Sequence, residues 1–211
     1  SATPLFAQAF GGSFNPIHNG HLGIARAFAD EIGLDTVLFL PAGTPYHKGG
    51  GMIPASARMD MVQAALAEAG DARFAASDID MVRQGATYRA DTVQIFRQNF
   101  PTAQLWWLMG LDSLMQLASW KNWRTFVRQT RIAVAARAGQ TLAGVPRELQ
   151  DWLGGALQDG SLKMLSAPLF DISSTQIRER IAQGKNILDD VPPSVARYIA
   201  EHQLYRYSQL K

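Results

Sequence analysis

Apolar runs of strand length alternate along this chain with stretches whose apolar positions recur at helical spacing. Leu5–Phe10, Thr36–Leu40, Phe74–Ala76, Gln104–Met109, Arg131–Ala135 and Leu162–Leu165 read as strands, several of them apolar throughout, as strands buried on both faces are. Between the first two, Leu22, Ala25, Ala29 and Ile32 fall on one helical face, with Gly33 as the stop. A second helix fits Ser56–Ala69, with Met59, Val62, Leu66 and Ala69 inward and Gly70 ending it, and Thr87 opens a third that runs to about Asn99. Ser173–Gln183 predicts a helix with Ile177 and Ile181 on one face. The last helix follows Pro192–Pro193, with Val195, Tyr198, Ile199 and His202 spaced for packing. Strand and helix in alternation predict an α/β fold, a parallel sheet flanked by helices, in a single domain over 1–211 whose part 168–211 is mostly helical. The loop Pro41–Ile53, long and rich in Gly and Pro, is a candidate for function, whereas 138–160 carries the least pattern and reads as a surface excursion.

Composition narrows the partners. At 47% hydrophobic and 18% charged residues the chain can bury a full core, and a net charge of +2 provides no dense basic stripe for a nucleic-acid polymer, despite a sequence pI near 9.0. Fifteen of the twenty basic residues are arginine, suited to bidentate phosphate or carboxylate contacts but equally a mark of a GC-rich genome. There is no cysteine, which removes disulfides, thiol catalysis and thiolate metal sites. No run is long and apolar enough for a membrane span, and the N-terminal stretch lacks the basic-then-apolar order of an export signal, so the expectation is a cytoplasmic protein without a membrane partner.

The densest chemistry follows the first strand: Gly11-Gly12-Ser13-Phe14-Asn15-Pro16-Ile17-His18-Asn19-Gly20-His21. Paired glycines let a backbone approach a ligand, and the helix behind them turns its unpaired N–H groups and positive dipole end toward the loop, so an anion is the natural occupant. His18 and His21, three residues apart at the helix start, can project toward one place and donate to phosphate oxygens as charge builds on phosphorus, while Gly20 would let a nucleotide lie against the backbone. Zinc would need further ligands, and only His47 and His202 remain among histidines. An incidental histidine pair on an ordinary strand–turn–helix is the bland alternative.

A second motif, Ile172-Ser173-Ser174-Thr175-Gln176-Ile177-Arg178, has capping-box spacing from Ser173 to Gln176 and more hydroxyls than a cap requires. Its N–H groups, hydroxyls and the Arg178 guanidinium could hold a triphosphate from the side opposite the histidines; the plain reading is a capped surface helix. Together the motifs resemble the two signatures, H-x-G-H and I-S-x-T-x-x-R, of the HxGH nucleotidyltransferase superfamily, which implies a Rossmann-like nucleotidyltransferase fold. The superfamily commonly carries Asp where this chain has Asn15. Its phosphopantetheine members are shorter and typically carry Thr in place of His18.

Further segments bear on the acceptor: Pro41–Lys48 with its His47-Lys48 pair, Thr87–Thr92 opening a helix, Gly110-Leu111-Asp112 after a strand, and Trp120, an indole that can stack on a flat ring. From Phe10 to Tyr205 the chain is similar to the bacterial nicotinate mononucleotide adenylyltransferase family. That resemblance implies transfer of AMP from ATP to nicotinate mononucleotide, giving nicotinate adenine dinucleotide and pyrophosphate in NAD biosynthesis. It implies catalytic His18, His21 and Arg178, and ATP contacts from Gly11, Gly12, Ser13, Phe14, Gly20, Lys48, Gly110, Asp112, Ile172, Ser173, Ser174 and Thr175. Thr87, Tyr88, Trp120, Asn15 and Arg137 would hold the mononucleotide. Magnesium (Mg2+) would arrive with ATP rather than on protein ligands. The partners implied are these two small molecules; a homo-oligomer stays open, as do a related adenylyl or cytidylyl transferase and a nucleotide sensor without chemistry.

Overall fold

The structure, a computed structural model, describes residues 6–43, 52–81, 88–166 and 171–206. Six strands form one sheet in the order β3-β2-β1-β4-β5-β6, where β1 is Phe6–Gly12, β2 Thr36–Pro41, β3 Phe74–Ala76, β4 Gln104–Gly110, β5 Arg131–Ala135 and β6 Leu162–Met164. The pairs β1/β4, β4/β5 and β5/β6 are parallel, with Phe10 opposite Leu108, Leu108 opposite Ala133 and Ile132 opposite Leu162. The helices are α1 Asn19–Ile32, α2 Ala55–Ala69, α3 Tyr88–Asn99, α4 Leu111–Met115, α5 Trp123–Gln129, α6 Arg147–Asp159, α7 Ser174–Ala182 and α8 Pro193–Glu201. The expected α/β class and parallel sheet are therefore observed. Strand order reverses between β1 and β4, neighbours distant in the chain, and such a switch point is where open α/β sheets receive ligands, beyond the carboxyl ends of the strands.

By internal contact the chain divides into two compact units. The first comprises Ser1–Gly11, Ile24–Leu38 and Gly85–Leu169. Its core is the run Leu105–Met109 of β4, buried at every position, with Ile132–Ala135 of β5 beside it. Trp107 meets Phe126 edge-on at 5.4 Å, and Arg97 ties α3 to the chain around it, donating to the carbonyls of Ala103 (2.7 Å) and Gln129 (3.0 Å). The second unit comprises Gly12–Gly23, Phe39–Gln84 and Phe170–Lys211. There Phe39 lies between Phe14 at 5.8 Å and Phe74 at 5.4 Å, and α8 packs on α2 through Val195 and Ile199. Glu68 of α2 accepts from the Ser194 amide (3.0 Å) and hydroxyl (2.7 Å), an anion held at the start of α8, where the helix dipole favours one.

Three expectations need correction. Residues 138–160 are no excursion: α6 occupies most of them, burying Leu149, Leu153 and Ala156 and ending at Gly160, whose φ is 81°. Gly154 and Gly155 sit mid-helix and weaken the local signal by about 1 kcal/mol each, so burial of the stripe, invisible locally, decides the outcome. On α2 the inward face is Arg58, Met61, Val62 and Ala65, not Met59, Val62, Leu66 and Ala69, because an arginine sits in the core. The segment after β4, read without elements, forms α4, a 3-10 turn at Leu117–Ser119 and α5, each too short for a periodic signature. In α8 Val195 and Ile199 are buried as the spacing suggests, while His202 lies exposed and stacked on Tyr198 at 3.9 Å.

Since Leu149 is wholly buried, Leu149→Ala is expected to lower unfolding free energy by about 2–5 kcal/mol in urea melts, with the denaturant slope unchanged. A loss below 1 kcal/mol would mean that α6 contributes little to the core.

Candidate active site

The chain leaves β1 through Ser13 and Phe14, whose φ of 49° turns it sharply, and crosses a cis Asn15-Pro16 bond; Phe14 through His18 are all buried. His18 immediately precedes α1, and its carbonyl accepts the first helical hydrogen bonds, from His21 N (3.1 Å) and Leu22 N (3.3 Å). It therefore stands at the N-cap, where a side-chain acceptor normally satisfies an orphan N–H of the first turn. Imidazoles do this here. His18 Nδ1 accepts from Gly20 N at 3.1 Å, and His21 Nδ1 reaches back to accept from His18 N at 3.0 Å. The H-x-G-H motif is thus a capping box written in histidine, with His21 in the place a glutamate usually takes.

Several properties follow from that geometry. A neutral imidazole has one acceptor nitrogen, and each ring has committed Nδ1, so each carries its proton on Nε2 and offers Nε2–H as a donor. The rings stack at 3.7 Å and 25°, with Phe14 edge-on to His21 at 4.9 Å. Burial lowers the His18 pKa to about 4; burial first, and then proximity to His18, hold His21 well below its ordinary value. Protonation would also set an Nδ1–H against a backbone N–H at the positive end of a helix. Both rings are neutral at pH 7. Gly20 is required by the same fold-back: a Cβ there would lie 2.9 Å from the His18 ring.

The loop is held by its carbonyls. Arg58 Nη1 donates to Ser13 O (2.7 Å), Arg178 Nη1 to Asn15 O (2.8 Å) and the Ser174 hydroxyl to Pro16 O (2.9 Å). The Asn15 side chain accepts at Oδ1 from the Tyr205 hydroxyl at 2.7 Å, while Asn19 donates to the carbonyls of Asp190 (2.8 Å) and Asp189 (3.2 Å). Arg58 is fully buried. Its Nε donates to Ile53 O (3.1 Å), its Nη2 has no partner among the described residues, and burial lowers its pKa. Tyr205 is buried too, and desolvation raises its hydroxyl's pKa well above the ordinary value. Ser173 caps α7 as the spacing predicts, accepting from Gln176 N at 3.1 Å, and Arg178 Nη2 bonds Thr175 Oγ1 at 3.3 Å. Sequence reasoning did not single out Arg58 or Tyr205. A lone arginine inside an apolar helix stripe was the available signal for the first; nothing marked the second.

The predicted site residues fall into two groups. Gly12, Ser13, Phe14, Asn15, His18, Gly20, His21, Ile172, Ser173, Ser174, Thr175 and Arg178 belong to the second unit and include the cluster just described. Gly11, Tyr88, Gly110, Asp112, Trp120 and Arg137 belong to the first. There, a Cβ on Gly11 would approach the Trp107 ring to 3.1 Å, so this glycine makes room for an indole. Gly110 ends β4 and caps α4, with exposed Asp112 in its first turn; Tyr88 begins α3, Arg137 is exposed just past β5, and Trp120 is half-buried. Lys48 and Thr87 lie outside the described residues. Among the described residues no group of three or more His, Asp or Glu could hold a metal, and both Nδ1 atoms are committed to backbone N–H groups.

A cytidylyltransferase-like family model matches residues 9–180, which include both motifs. A Neisseria meningitidis serogroup B protein named probable nicotinate-nucleotide adenylyltransferase is 63% identical over 196 residues, covering 93% of this chain and 96% of its own. A Chromobacterium violaceum protein of the same name is 41% identical over 207 residues, 93% of this chain and 97% of its own. The chain belongs to the nicotinate-nucleotide adenylyltransferase family. It is a nucleotidyltransferase by that membership, and its α/β architecture agrees: a Plasmodium falciparum nicotinic acid mononucleotide adenylyltransferase complexed with NaAD superposes with a TM-score of 0.75 at 16% identity, over 95% of this chain and 97% of that one. In this family member no helix among the described residues is long and apolar enough to cross a membrane.

Two measurements test the histidine box. Because His18 is held below its unfolded value of 6.5, the unfolded state takes up a proton first on acidification; stability present above pH 6.5 is lost as pH falls toward about 4. His18→Asn, which keeps a capping acceptor but cannot titrate, is expected to remove up to about 3 kcal/mol of that pH dependence in denaturant melts, and an unchanged slope would contradict the burial argument. Gly20→Ala should gain helix propensity yet lower turnover by about tenfold or more, since its Cβ displaces the His18 ring.

Proposed function

We infer that this chain transfers the adenylyl group of ATP to nicotinate mononucleotide, forming nicotinate adenine dinucleotide and pyrophosphate on the way to NAD. The observation that carries the reading is the reciprocal pair of hydrogen bonds through Nδ1 that puts the proton of His18 and of His21 on Nε2, the nitrogen the cap does not use. An oxygen of the mononucleotide's 5′-phosphate bonds to the α-phosphorus as the bond from that phosphorus to the β-phosphate bridge breaks. The attacking oxygen is already anionic, so no general base is needed, and positioning plus charge stabilisation suffice. His18 and His21 donate to phosphate oxygens in the transition state, and Arg178, tethered to Asn15 O by one arm, supplies positive charge with the rest of its fork.

The other roles follow the family resemblance. Gly11, Gly12, Ser13, Phe14 and Gly20, with Ile172, Ser173, Ser174 and Thr175, would line the ATP phosphates, joined by Lys48, Gly110 and Asp112. Thr87, Tyr88, Asn15, Arg137 and Trp120 would hold the mononucleotide. Magnesium would arrive on the triphosphate, since hard cations at such sites keep waters and use few protein ligands. We read the whole chain as one functional domain, supported by a family match that runs through segments of both compact units, and as a cytoplasmic enzyme.

The test is pyrophosphate release with ATP, magnesium and a panel of acceptors, with CTP replacing ATP in parallel. Release with nicotinate mononucleotide and ATP is expected; release only with CTP, or with none of the acceptors despite ATP binding, would overturn the reading. His18→Ala and His21→Ala are each expected to lower kcat by roughly 10²-fold. Because the rings act in their neutral form, wild-type kcat should not fall from pH 6.5 to 8 through histidine deprotonation.

A further inference from the structure

Within the second unit, Arg58 of α2 is fully buried, yet it lies directly behind an exposed part of the loop after β1. Its Nη1 donates at 2.7 Å to the carbonyl of Ser13, an exposed residue, and its Nε donates at 3.1 Å to Ile53 O. Nη2 has no partner among the described residues, and no ion pair there includes Arg58. An arginine stays protonated in a protein, and a guanidinium taken out of water without a carboxylate costs folding free energy. A neutral donor could brace these carbonyls. What the arginine adds is charge, one residue's thickness behind the loop surface, where solvent and salt screen it far less than at an exposed position.

We propose that Arg58 is a determinant of polyphosphate binding at this loop, acting through its charge rather than by contact, with the phosphates of the ligand as its counter-ion. The inference rests on the loop after β1 receiving the triphosphate of ATP, as in the proposed function. Arg178 is half-buried and can touch a phosphate; Arg58 is inaccessible and cannot. Its contribution is therefore non-directional and grows with the negative charge that the ligand brings. In the free protein the guanidinium has no opposite charge beside it; a polyphosphate seated over Ser13 supplies one from the other side of the loop. The two arginines divide the work: Arg178 holds a phosphate by hydrogen bonds, and Arg58 makes the surface of the loop attractive to anions.

The experiment measures dissociation constants of ATP, ADP and AMP by calorimetry in magnesium-free buffer, for the wild type, Arg58→Gln and Arg58→Met, with cooperative unfolding in urea as the check on folding. Arg58→Gln keeps a donor for one carbonyl, and Arg58→Met keeps bulk without polarity. Each folded variant should bind ATP about tenfold or more weakly than the wild type, with a smaller loss for ADP and the smallest for AMP. A displaced loop, the outcome of a merely structural role, weakens the three ligands alike. Equal losses for all three, undiminished ATP affinity, or failure of both variants to fold, which would make the arginine an indispensable brace, overturns the inference and leaves the adenylyl-transfer reading standing. A wild type that binds no ATP overturns the inference as well; if it also releases no pyrophosphate from ATP with nicotinate mononucleotide, the adenylyl-transfer reading falls with it.

Discussion

An imidazole can accept only one hydrogen bond in its neutral form, and both histidines of this loop spend theirs on backbone N–H groups of the turn they belong to. The ordinary capping box uses a hydroxyl and, at the position His21 takes, a carboxylate, which has no donor to offer. Histidine satisfies the same orphan amides and retains a second nitrogen, so one pair of side chains starts the helix and presents two N–H donors. The tautomer is set by the backbone, and neutrality by burial together with the helix end. What surrounds the motif then reads as a set of consequences: the residue between the histidines must be glycine because the first ring folds over it, and the loop before them must be held still.

That holding is done by groups remote in sequence. Arginines of α2 and α7 and a hydroxyl of α7 take successive loop carbonyls, and Tyr205, near the end of the described chain, reaches Asn15. The superfamily's common Asp and this chain's Asn15 share a side-chain oxygen, and acceptance from a buried tyrosine hydroxyl asks for that oxygen rather than for a charge. A neutral amide here also leaves the positive charge of Arg58 and Arg178 uncancelled by the loop, which favours an anionic ligand. Desolvation acts on Arg58 and Tyr205 as on the histidines, disfavouring the charged form of Arg58 and the ionised form of Tyr205.

Much of this was legible in the sequence. Runs such as Thr36–Leu40 and Gln104–Met109 could only be buried strands, and the Ser173–Gln176 spacing announced a cap that is observed. The failures share one cause: tertiary contacts overrode local preference. Gly154 and Gly155 disguised α6, because nothing local reveals that Leu149 and Leu153 find a core. Arg58 was not placed on the inward face of α2, because its partners, Ser13 and Ile53, are loop carbonyls whose position no pattern states. Nor could the sequence show that beside Gly11 and Gly20 this chain's own rings, Trp107 and His18, stand where a Cβ would lie.

Neutral histidines resolve a conflict that charged ones would create. A cation at the start of a helix opposes the dipole, and here it would also oppose its stacked neighbour and the nearby arginines, so an imidazolium pair would weaken the turn that positions it. Neutral Nε2–H groups leave the charge to arginines held by other elements and contribute direction instead. On the proposed reaction this division is useful, because the transition state differs from the ground state less in total charge than in where that charge lies, and directed donors respond to position. The fold thus separates attraction, which the guanidiniums and the helix end provide, from alignment, which falls to the two rings.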